Sequence, residues 1–322
     1  MDTKIVGLVV RNPDPKSCVA EISEMDDMGI PAVWMTTGGG GGDSITIYAA
    51  AALETKRILM GTAIAHNWAK APRALVSQAE AFCGLAPGRL RLGLGTSAKV
   101  LMERSYGADF DPPLGHLKEY VQILRTLLSE GSIDFNGKYY RTRARITQTL
   151  EVPVMISALR AKSFELAGAE TDGAITWVCP YKYLQEVAMP AMAKGAAQQK
   201  RPTPPMIVHV PVCVHKDIEE AREGMRQLLG YYPGTPVFGK MFEEAGFPGS
   251  QQTGWTDEMI SDVLVTGSED HVAKALEDIF AWGAGEIMVD VVKAGPNPEA
   301  SKARTTKLIA DVVKSYGSGL AQ

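Results

Sequence analysis

The chain has 322 residues, 45% of them hydrophobic and 22% charged, which is ample for a large buried core and argues against a disordered protein. The formal net charge is -4 and no block of Lys and Arg stands out, so the sequence lacks the electrostatic signature of a nucleic-acid-binding protein. The four cysteines are far apart and form no Cys-x-x-Cys pair, which argues against a disulfide framework or a structural zinc site.

Short runs of β-branched residues alternate with longer segments of helical spacing along the chain. The runs predict eight strands, at residues 5–10, 31–36, 57–64, 89–95, 153–157, 173–178, 206–214 and 286–291. The segments between them predict helices, at residues 16–28, 44–53, 72–85, 117–129, 160–169, 181–197, 217–229, 268–283 and from about 299 onward. This alternation predicts one (β/α)8 TIM barrel over residues 1–322. An open doubly wound sheet is the alternative, but it usually has fewer strands.

Two segments interrupt the alternation and predict insertions into the barrel. Residues 133–140 indicate a β-hairpin with an Asn136-Gly137 turn, inserted after strand 4. Residues 231–254 are rich in Gly, Pro and aromatic side chains and have no clear period, so we interpret them as a flap inserted after strand 7.

The functional residues of a (β/α)8 barrel lie at the C-terminal ends of its strands. After strand 4, Gly93-Leu94-Gly95-Thr96-Ser97-Ala98 fits the pattern G-x-G-x-x-G/A, but the dinucleotide fingerprint follows the first strand of its own fold. We interpret Gly95 as a point where the backbone approaches a planar ring, with Thr96 and Ser97 as hydrogen-bond donors. Small residues packed inside the barrel are the alternative. Thr36 is a further polar candidate, at the end of strand 2.

Two other loops at these strand ends can contact a ligand. Ala158-Leu159-Arg160, after strand 5, leads into a helix whose N-terminal N–H groups can bind an anion, and Arg160 can add a charge-assisted hydrogen bond to a phosphate. An exposed arginine on a solvated helix is the alternative. The glycine run 38–42 after strand 2 indicates either a mobile cover over the site or plain disorder.

Two ring side chains also follow barrel strands. His66 comes directly after strand 3 and is a candidate proton donor, with a structural histidine as the alternative. Trp177 ends strand 6 and can stack on a ring or serve as a core aromatic residue. The strand ends hold no cluster of His with Asp or Glu at ligand spacing, so no metal site is predicted.

Several segments resemble the luciferase-like monooxygenase superfamily and recur in the same order. They are TKRILMGTAI at 55–64, PGRLRLGLGT at 87–96, VPVMIS at 152–157, DGAI at 172–175 and VTGS at 265–268. Within the superfamily the sequence is most similar to the deazaflavin-dependent branch, which uses coenzyme F420 and includes methylenetetrahydromethanopterin reductase.

The resemblance implies a barrel that forms a homodimer and carries a non-prolyl cis peptide after strand 3, here Ala63-Ile64. It implies hydride transfer between the C5 atom of F420 and a small organic substrate. His66 is the candidate proton donor because of its position after strand 3, and the resemblance does not supply this role. On this hypothesis the expected cofactor contacts are Ala63 and Ile64 behind the ring, Gly95, Thr96 and Ser97 at its polar edge, Ala158, Leu159 and Arg160 at the phosphate, and Trp177 beside the pocket. Thr36 is a further candidate contact.

The sequence also departs from part of this branch. Its sugar-phosphate dehydrogenases have an Asp-His pair where Thr36 and Thr37 stand, a Glu in place of Ala98 and a Lys in place of Pro180, so a sugar phosphate is not the expected substrate. An FMN-dependent monooxygenase is one alternative, and a non-catalytic ligand-binding barrel is another. No signal peptide is evident and the most apolar stretch, residues 45–53, is too short to span a bilayer, so we expect a soluble cytoplasmic protein.

Overall fold

The computed structural model of the protein describes residues 4–36, 42–110 and 112–317. Within these ranges the strands are β1 (Ile5–Val10), β2 (Ala32–Met35), β3 (Leu59–Thr62), β4 (Ala65–His66), β5 (Leu90–Gly95), β6 (Ser132–Asn136), β7 (Arg141–Arg145), β8 (Val154–Ser157), β9 (Ala174–Ile175), β10 (Met206–Val214), β11 (Val265–Gly267) and β12 (Glu286–Val291).

The helices of the same ranges include one π-helical turn, Leu184–Ala188, between α7 and α8. They are α1 (Pro15–Met28), α2 (Ser44–Glu54), α3 (Pro72–Leu85), α4 (Lys99–Tyr106), α5 (Pro113–Glu130), α6 (Ala161–Glu170), α7 (Tyr181–Tyr183), α8 (Met189–Gln198), α9 (Ile218–Leu229), α10 (Pro236–Glu244), α11 (Ser250–Thr253), α12 (Asp257–Ser261), α13 (Glu269–Ala281) and α14 (Pro298–Ser315). None of the helices in the described part of the chain is long and apolar enough to cross a membrane.

Eight parallel strands close into a barrel, which confirms the predicted fold class. Their order is β1, β2, β3, β5, β8, β9, β10 and β12, and β12 pairs with β1 to complete the circle. All eight correspond to predicted strands. β4 continues the path of β3 by pairing with β5, whereas β11 pairs with the end of β10. Because all eight strands are parallel, their C-terminal ends and the loops that follow them meet at one mouth of the barrel.

Local sequence signals explain where several helices begin and end. The Asp14 carboxylate accepts the N–H of Ser17 at the start of α1, and Gly29 ends that helix with φ 84°, a left-handed conformation that favours glycine. Pro72 occupies the first turn of α3, as predicted. Ser268 accepts the N–H of His271 and caps α13.

Two predictions for the inserted segments were wrong in detail, and one helix was not predicted. The hairpin is present, but Asn136 pairs with Arg141, so its connection has four residues rather than a two-residue Asn-Gly turn. The segment after β5 contains the helix α4, and Met102 is the one residue of this helix that is buried. The 231–254 flap is largely helical, because Met241 and Phe242 of α10 are buried and supply an apolar face that the composition obscured.

The interior of the barrel toward the N-terminal end of its strands is filled by a polar and aromatic cluster. The Trp34 ring covers Gly61, where an added Cβ would lie 2.3 Å from the indole. Its Nε1 donates to Glu286 at 3.1 Å, and Arg91 forms two hydrogen bonds to the same carboxylate, of 3.0 and 2.5 Å. The barrel is therefore closed on this side, and the opposite mouth is the candidate site.

Candidate functional site

The C-terminal ends of four adjacent strands, β3, β5, β8 and β9, form one arc of the mouth. The peptide bond between Ala63 and Ile64 is cis, at the position that the family resemblance implied. A Cβ added at Gly95 would lie 2.1 Å from Cδ1 of Ile64 and 2.3 Å from Oγ of Ser157. Gly95 thus lets the ends of β3, β5 and β8 approach one another, and the predicted residues on these ends lie together.

The two glycines of the predicted fingerprint have different surroundings. A Cβ at Gly93 would lie 2.0 Å from the carbonyl oxygen of Thr62. The Thr62 hydroxyl donates to the Gly93 carbonyl and accepts its N–H, at 2.8 and 2.9 Å. Gly93 is therefore a small residue packed inside the barrel wall, which was the alternative interpretation. Gly95 instead contacts the ends of side chains at the mouth.

Thr96 and Ser97 leave β5 as half-buried residues, and Ser97 has φ 59°, a left-handed conformation that is uncommon for a residue with a side chain. This conformation directs the chain from β5 into α4. Thr36 is half-buried at the end of β2. Of the glycine run predicted as a cover, residues 38–41 lie outside the described residues.

The His66 imidazole is buried at the mouth. It is 7% exposed, its Nδ1 has no hydrogen-bond partner, and the Tyr106 ring of α4 stands nearly perpendicular to it at 6.4 Å between centroids. Burial lowers the pKa of His66, so the ring is neutral at pH 7. A neutral imidazole with an unpartnered nitrogen can accept a proton from a bound ligand or donate one to it.

Asn67 and Trp68 continue this polar edge. The Asn67 side chain is 1% exposed, and its Nδ2 lies 2.8 Å from Nδ1 of His116 while its Oδ1 has no partner. The Trp68 indole stacks on His116 at 3.6 Å, and its Nε1 is also unpartnered. The Tyr140 hydroxyl of the hairpin lies 3.2 Å from the same His116 nitrogen. The hairpin and α5 therefore hold the segment after β4 in place.

A second cluster lies across the mouth from His66 and is built on Trp177. Its ring stacks on His209 at 3.8 Å, and its buried Nε1 has no partner. His209 accepts the Val178 N–H at Nδ1, 3.2 Å away, so we assign its proton to Nε2, which lies 3.1 Å from Oδ2 of Asp290. The guanidinium of Arg11 binds the same carboxylate, with contacts of 2.7 to 3.1 Å.

The electrostatics of this cluster keep Asp290 charged. Burial alone would raise the pKa of Asp290, but the hydrogen bond from His209 and the charge of Arg11 outweigh burial and hold that pKa below its usual range. Burial lowers the pKa of His209, which keeps that imidazole neutral. Arg11 also lies over the Trp177 ring, 5.1 Å from its centre.

The predicted phosphate contacts lie at the start of α6. The N–H groups of Leu159 and Arg160 both point to Oγ of Ser163, at 3.2 Å, and the Ala158 N–H is bonded to the carbonyl of Ile175. The Arg160 guanidinium is not free, because it pairs with Glu244 of α10. This ion pair raises the pKa of Arg160 and lowers that of Glu244.

The sequence analysis assigned no role to several residues of the mouth. Arg11 and Asp290 stand at strand ends, so their positions were visible but their pairing was not. His209 lies inside a run of β-branched residues, and a polar residue buried in such a strand is itself a signal of a buried network. Asn67 and His116 are 49 residues apart, and no local pattern joins them. No group of three or more His, Cys, Asp and Glu in the described ranges could hold a metal ion.

The family model of the luciferase-like monooxygenases matches residues 3–286. The chain belongs to this family. A Mycobacterium tuberculosis protein named as a coenzyme F420-dependent oxidoreductase is 26% identical to it, over 87% of this chain and 91% of that protein. The 5,10-methylenetetrahydromethanopterin reductase of Archaeoglobus fulgidus is 24% identical, over 82% of this chain and 86% of the reductase.

Solved structures with different cofactors share the fold. An F420-dependent secondary alcohol dehydrogenase superimposes with a TM-score of 0.80 at 17% identity, covering 98% of this chain and 99% of the dehydrogenase. The FMN-bound oxygenating constituent of 3,6-diketocamphane monooxygenase from Pseudomonas putida gives 0.72 at 18% identity, covering 97% and 98%. These structures establish the barrel fold for this chain, and the choice between deazaflavin and FMN needs other arguments.

Proposed function

We propose that this family member is an F420-dependent oxidoreductase that transfers hydride between the deazaflavin and a small organic substrate. The observation that carries the proposal is the close approach of three strand ends at the mouth, where the side-chain ends of Ile64 and Ser157 lie over Gly95. We call this meeting point of Ile64, Gly95 and Ser157 the cradle. The M. tuberculosis relative, which is named as F420-dependent, favours deazaflavin over FMN.

The residues of the mouth fit a flat ring with a polar edge. Ala63 and Ile64 would back the ring, and Gly95 would let the Ile64 side chain lie close against the end of β5. Thr96, Ser97 and Thr36 supply polar groups near that edge, and Trp177 would border the ring on the far side. The unpartnered nitrogens of His66 and Trp177 are the feature that a bound ligand would satisfy, because a buried polar atom without a partner costs free energy.

The phosphate of the cofactor would lie at Ala158, Leu159 and Arg160. Arg160 reaches it only by leaving Glu244, since the two side chains are paired. A phosphate, which carries more charge than one carboxylate and accepts several hydrogen bonds, is a stronger partner for a guanidinium. The N-terminus of α6 adds its dipole in the same direction.

Bound F420 supplies the hydride chemistry, so the chain itself has to bind, orient and move a proton. Holding the two reacting carbons about 3 to 3.5 Å apart is the main source of rate that such a cradle can provide. His66 is the proton carrier. Because its ring is neutral and Nδ1 is free, it accepts the proton when the substrate is oxidised and returns it in the reverse direction.

Titration of the purified protein with F420 and, separately, with FMN tests the proposal. We expect F420 binding with a change in deazaflavin fluorescence, and turnover with a substrate from an alcohol and carbonyl panel. Tight FMN binding with oxygen chemistry and no F420 binding would instead support the monooxygenase. F420 binding without electron transfer to any substrate in single-turnover experiments would support the non-catalytic barrel.

The chain is also proposed to act as one barrel domain, as a homodimer and in the cytoplasm. The M. tuberculosis relative aligns over nearly the whole chain, which supports one functional unit. Sedimentation of the purified protein at several concentrations tests whether it is a dimer. Cell fractionation tests whether it lies in the cytoplasm.

A further inference from the structure

Large apolar side chains are exposed mainly on two segments of the described structure. Eight such residues are more than a third exposed. Five of them lie either in α4 or in the segment between α9 and the end of α10: Val100 at 58%, Leu101 at 39%, Tyr106 at 48%, Tyr231 at 66% and Val237 at 43%. The sequence analysis had assigned no function to either segment's apolar residues.

Both segments stand over the mouth, on opposite sides. The last residue of α4, Tyr106, contacts the His66 ring edge-on. On the other side, Tyr231 stacks on Tyr232 at 4.2 Å, and the Tyr232 ring lies 6.1 Å from that of Trp177. Through these ring contacts, the exposed Tyr106 and Tyr231 are tied to the two sides of the candidate site.

The cations at the same strand ends are already neutralised. Arg11 has its charge paired with Asp290, and Arg160 is paired with Glu244. An anionic substrate would have to displace a carboxylate from one of them. Removing the partner from a buried ion pair is costly, and Asp290 is 2% exposed.

We propose that the substrate is an uncharged, largely apolar molecule with one polar group, and that α4 and the 231–237 segment bind its apolar part. That this molecule is oxidised or reduced rests on the proposed function, whereas its binding to the two segments does not. The polar group would bind at His66 or Trp177, whose buried ring nitrogens have no hydrogen-bond partner. The apolar part would cover the exposed side chains of both segments, which removes their surface from water.

Binding of n-alkanols with four to ten carbons to the cofactor-free protein, followed by calorimetry, tests this inference. We expect affinity to rise by up to about fourfold for each added methylene. Alkanoates of equal length carry a charge and should bind at least about tenfold more weakly, because charge burial is unfavourable here. Since no cofactor is present, the outcome is independent of F420 binding, so a failure here leaves the proposed reaction standing.

Three variants make the test specific. Tyr106→Ser and Tyr231→Ser should each flatten the dependence on chain length, whereas Leu53→Ser, at an exposed apolar residue of α2, should leave it unchanged. The inference is wrong if affinity does not depend on chain length, if alkanoates bind as well as alkanols, or if Leu53→Ser has the same effect as the mouth variants. A change in sedimentation of Tyr231→Ser without a change in alkanol affinity would instead identify this surface as an interface between copies of the chain.

Discussion

The Trp177 indole stacks on the His209 imidazole, with the ring centroids 3.8 Å apart and the planes inclined by 27°. His209 in turn is fixed by hydrogen bonds at both nitrogens, to the Val178 N–H and to Asp290. The orientation of Trp177 at the mouth therefore depends on a carboxylate that is itself fully buried. Asp290 is a positioning residue for the proposed site as well as the partner of Arg11.

Asp290→Asn should destabilise the protein and loosen Trp177. The amide can still accept a hydrogen bond from His209, but it leaves Arg11, whose side chain is 27% exposed, without a counter-charge. Breaking such a pair costs about 3 kcal/mol, which chemical unfolding would measure. Tryptophan fluorescence should shift in the folded variant. The matched control is Asp311→Asn, which breaks an exposed pair with Lys307 and should leave both signals unchanged. Equal stability of the two variants would contradict this role for Asp290.

Gly95→Ala should weaken cofactor binding, whereas Gly93→Ala should lower the stability of the fold. The Cβ at residue 95 meets the ends of the Ile64 and Ser157 side chains, which can move, but Ile64 then moves into the cradle. We expect a folded protein with F420 affinity reduced at least about tenfold, equivalent to about 1.4 kcal/mol.

The Cβ at residue 93 meets the backbone oxygen of Thr62, which cannot move without distorting the barrel. Gly93→Ala should therefore lose about 3 kcal/mol of stability by overpacking. Thermal unfolding and F420 titration of both variants check the pair. Unchanged F420 affinity in Gly95→Ala would argue against a ring at the cradle.

The barrel was predictable because each of its strands carries its own signal. A run such as Met206–Val214 is buried along its whole length, so its composition is apolar and β-branched throughout. Helix α4 was not predictable in the same way, because it buries only Met102 and shows no apolar face. The 231–254 segment has too many Gly and Pro residues for the periodicity of α10 to stand out.

The site was predictable only as a set of strand ends. Parallel strands bring their C-terminal ends together, so Ile64 and Gly95 could be placed near each other from sequence order alone. The hydrogen-bond partners of the polar groups could not be predicted in this way, because they depend on the directions of side chains across the barrel. The pairs Arg11 with Asp290 and Arg160 with Glu244 join residues 279 and 84 positions apart, and no pattern in the sequence specifies them.

His116 should make the stability of the protein dependent on pH in the acid range. Burial lowers the pKa of His116 to about 4, against the usual value of 6.5, because its ring is packed on Trp68. Between these two values the unfolded chain binds a proton that the folded chain does not, so stability falls as the pH drops from 6.5 to 4. Above pH 6.5 this contribution is constant.

His116→Phe is the variant that isolates this effect. Phenylalanine keeps a ring against Trp68 but does not titrate. The variant leaves the Asn67 amide without its partner, so it should be less stable at pH 7, and its stability should change less between pH 6.5 and 4. Denaturant unfolding at a series of pH values measures both properties. Identical slopes for the two proteins would show that His116 does not keep its depressed pKa.

Glu244→Gln should tighten the binding of F420 by about tenfold, because it frees the Arg160 guanidinium for the phosphate. Arg160→Ala should weaken binding by a similar factor. The phosphate-free deazaflavin chromophore should bind both variants equally. Glu165→Gln is the control, since it removes a partly exposed carboxylate from α6 that pairs with Lys194 rather than with Arg160. Fluorescence titrations of the wild type and the three variants with both ligands measure these affinities. Unchanged F420 binding in Arg160→Ala would place the phosphate elsewhere.

His66→Phe should separate proton transfer from cofactor binding. Phenylalanine keeps the edge-on contact with Tyr106 and removes the free Nδ1, so F420 affinity should be retained while kcat falls by about 10²- to 10³-fold. In the wild type, substrate oxidation needs the neutral ring, so kcat/KM should fall at acid pH with an apparent pKa below 6.5. That acid limb should be absent from the residual activity of the variant. If kcat and the acid limb both survive the substitution, His66 is a structural residue and the proton moves through another group, for which the unpartnered Trp68 and Trp177 nitrogens offer only donors and no base.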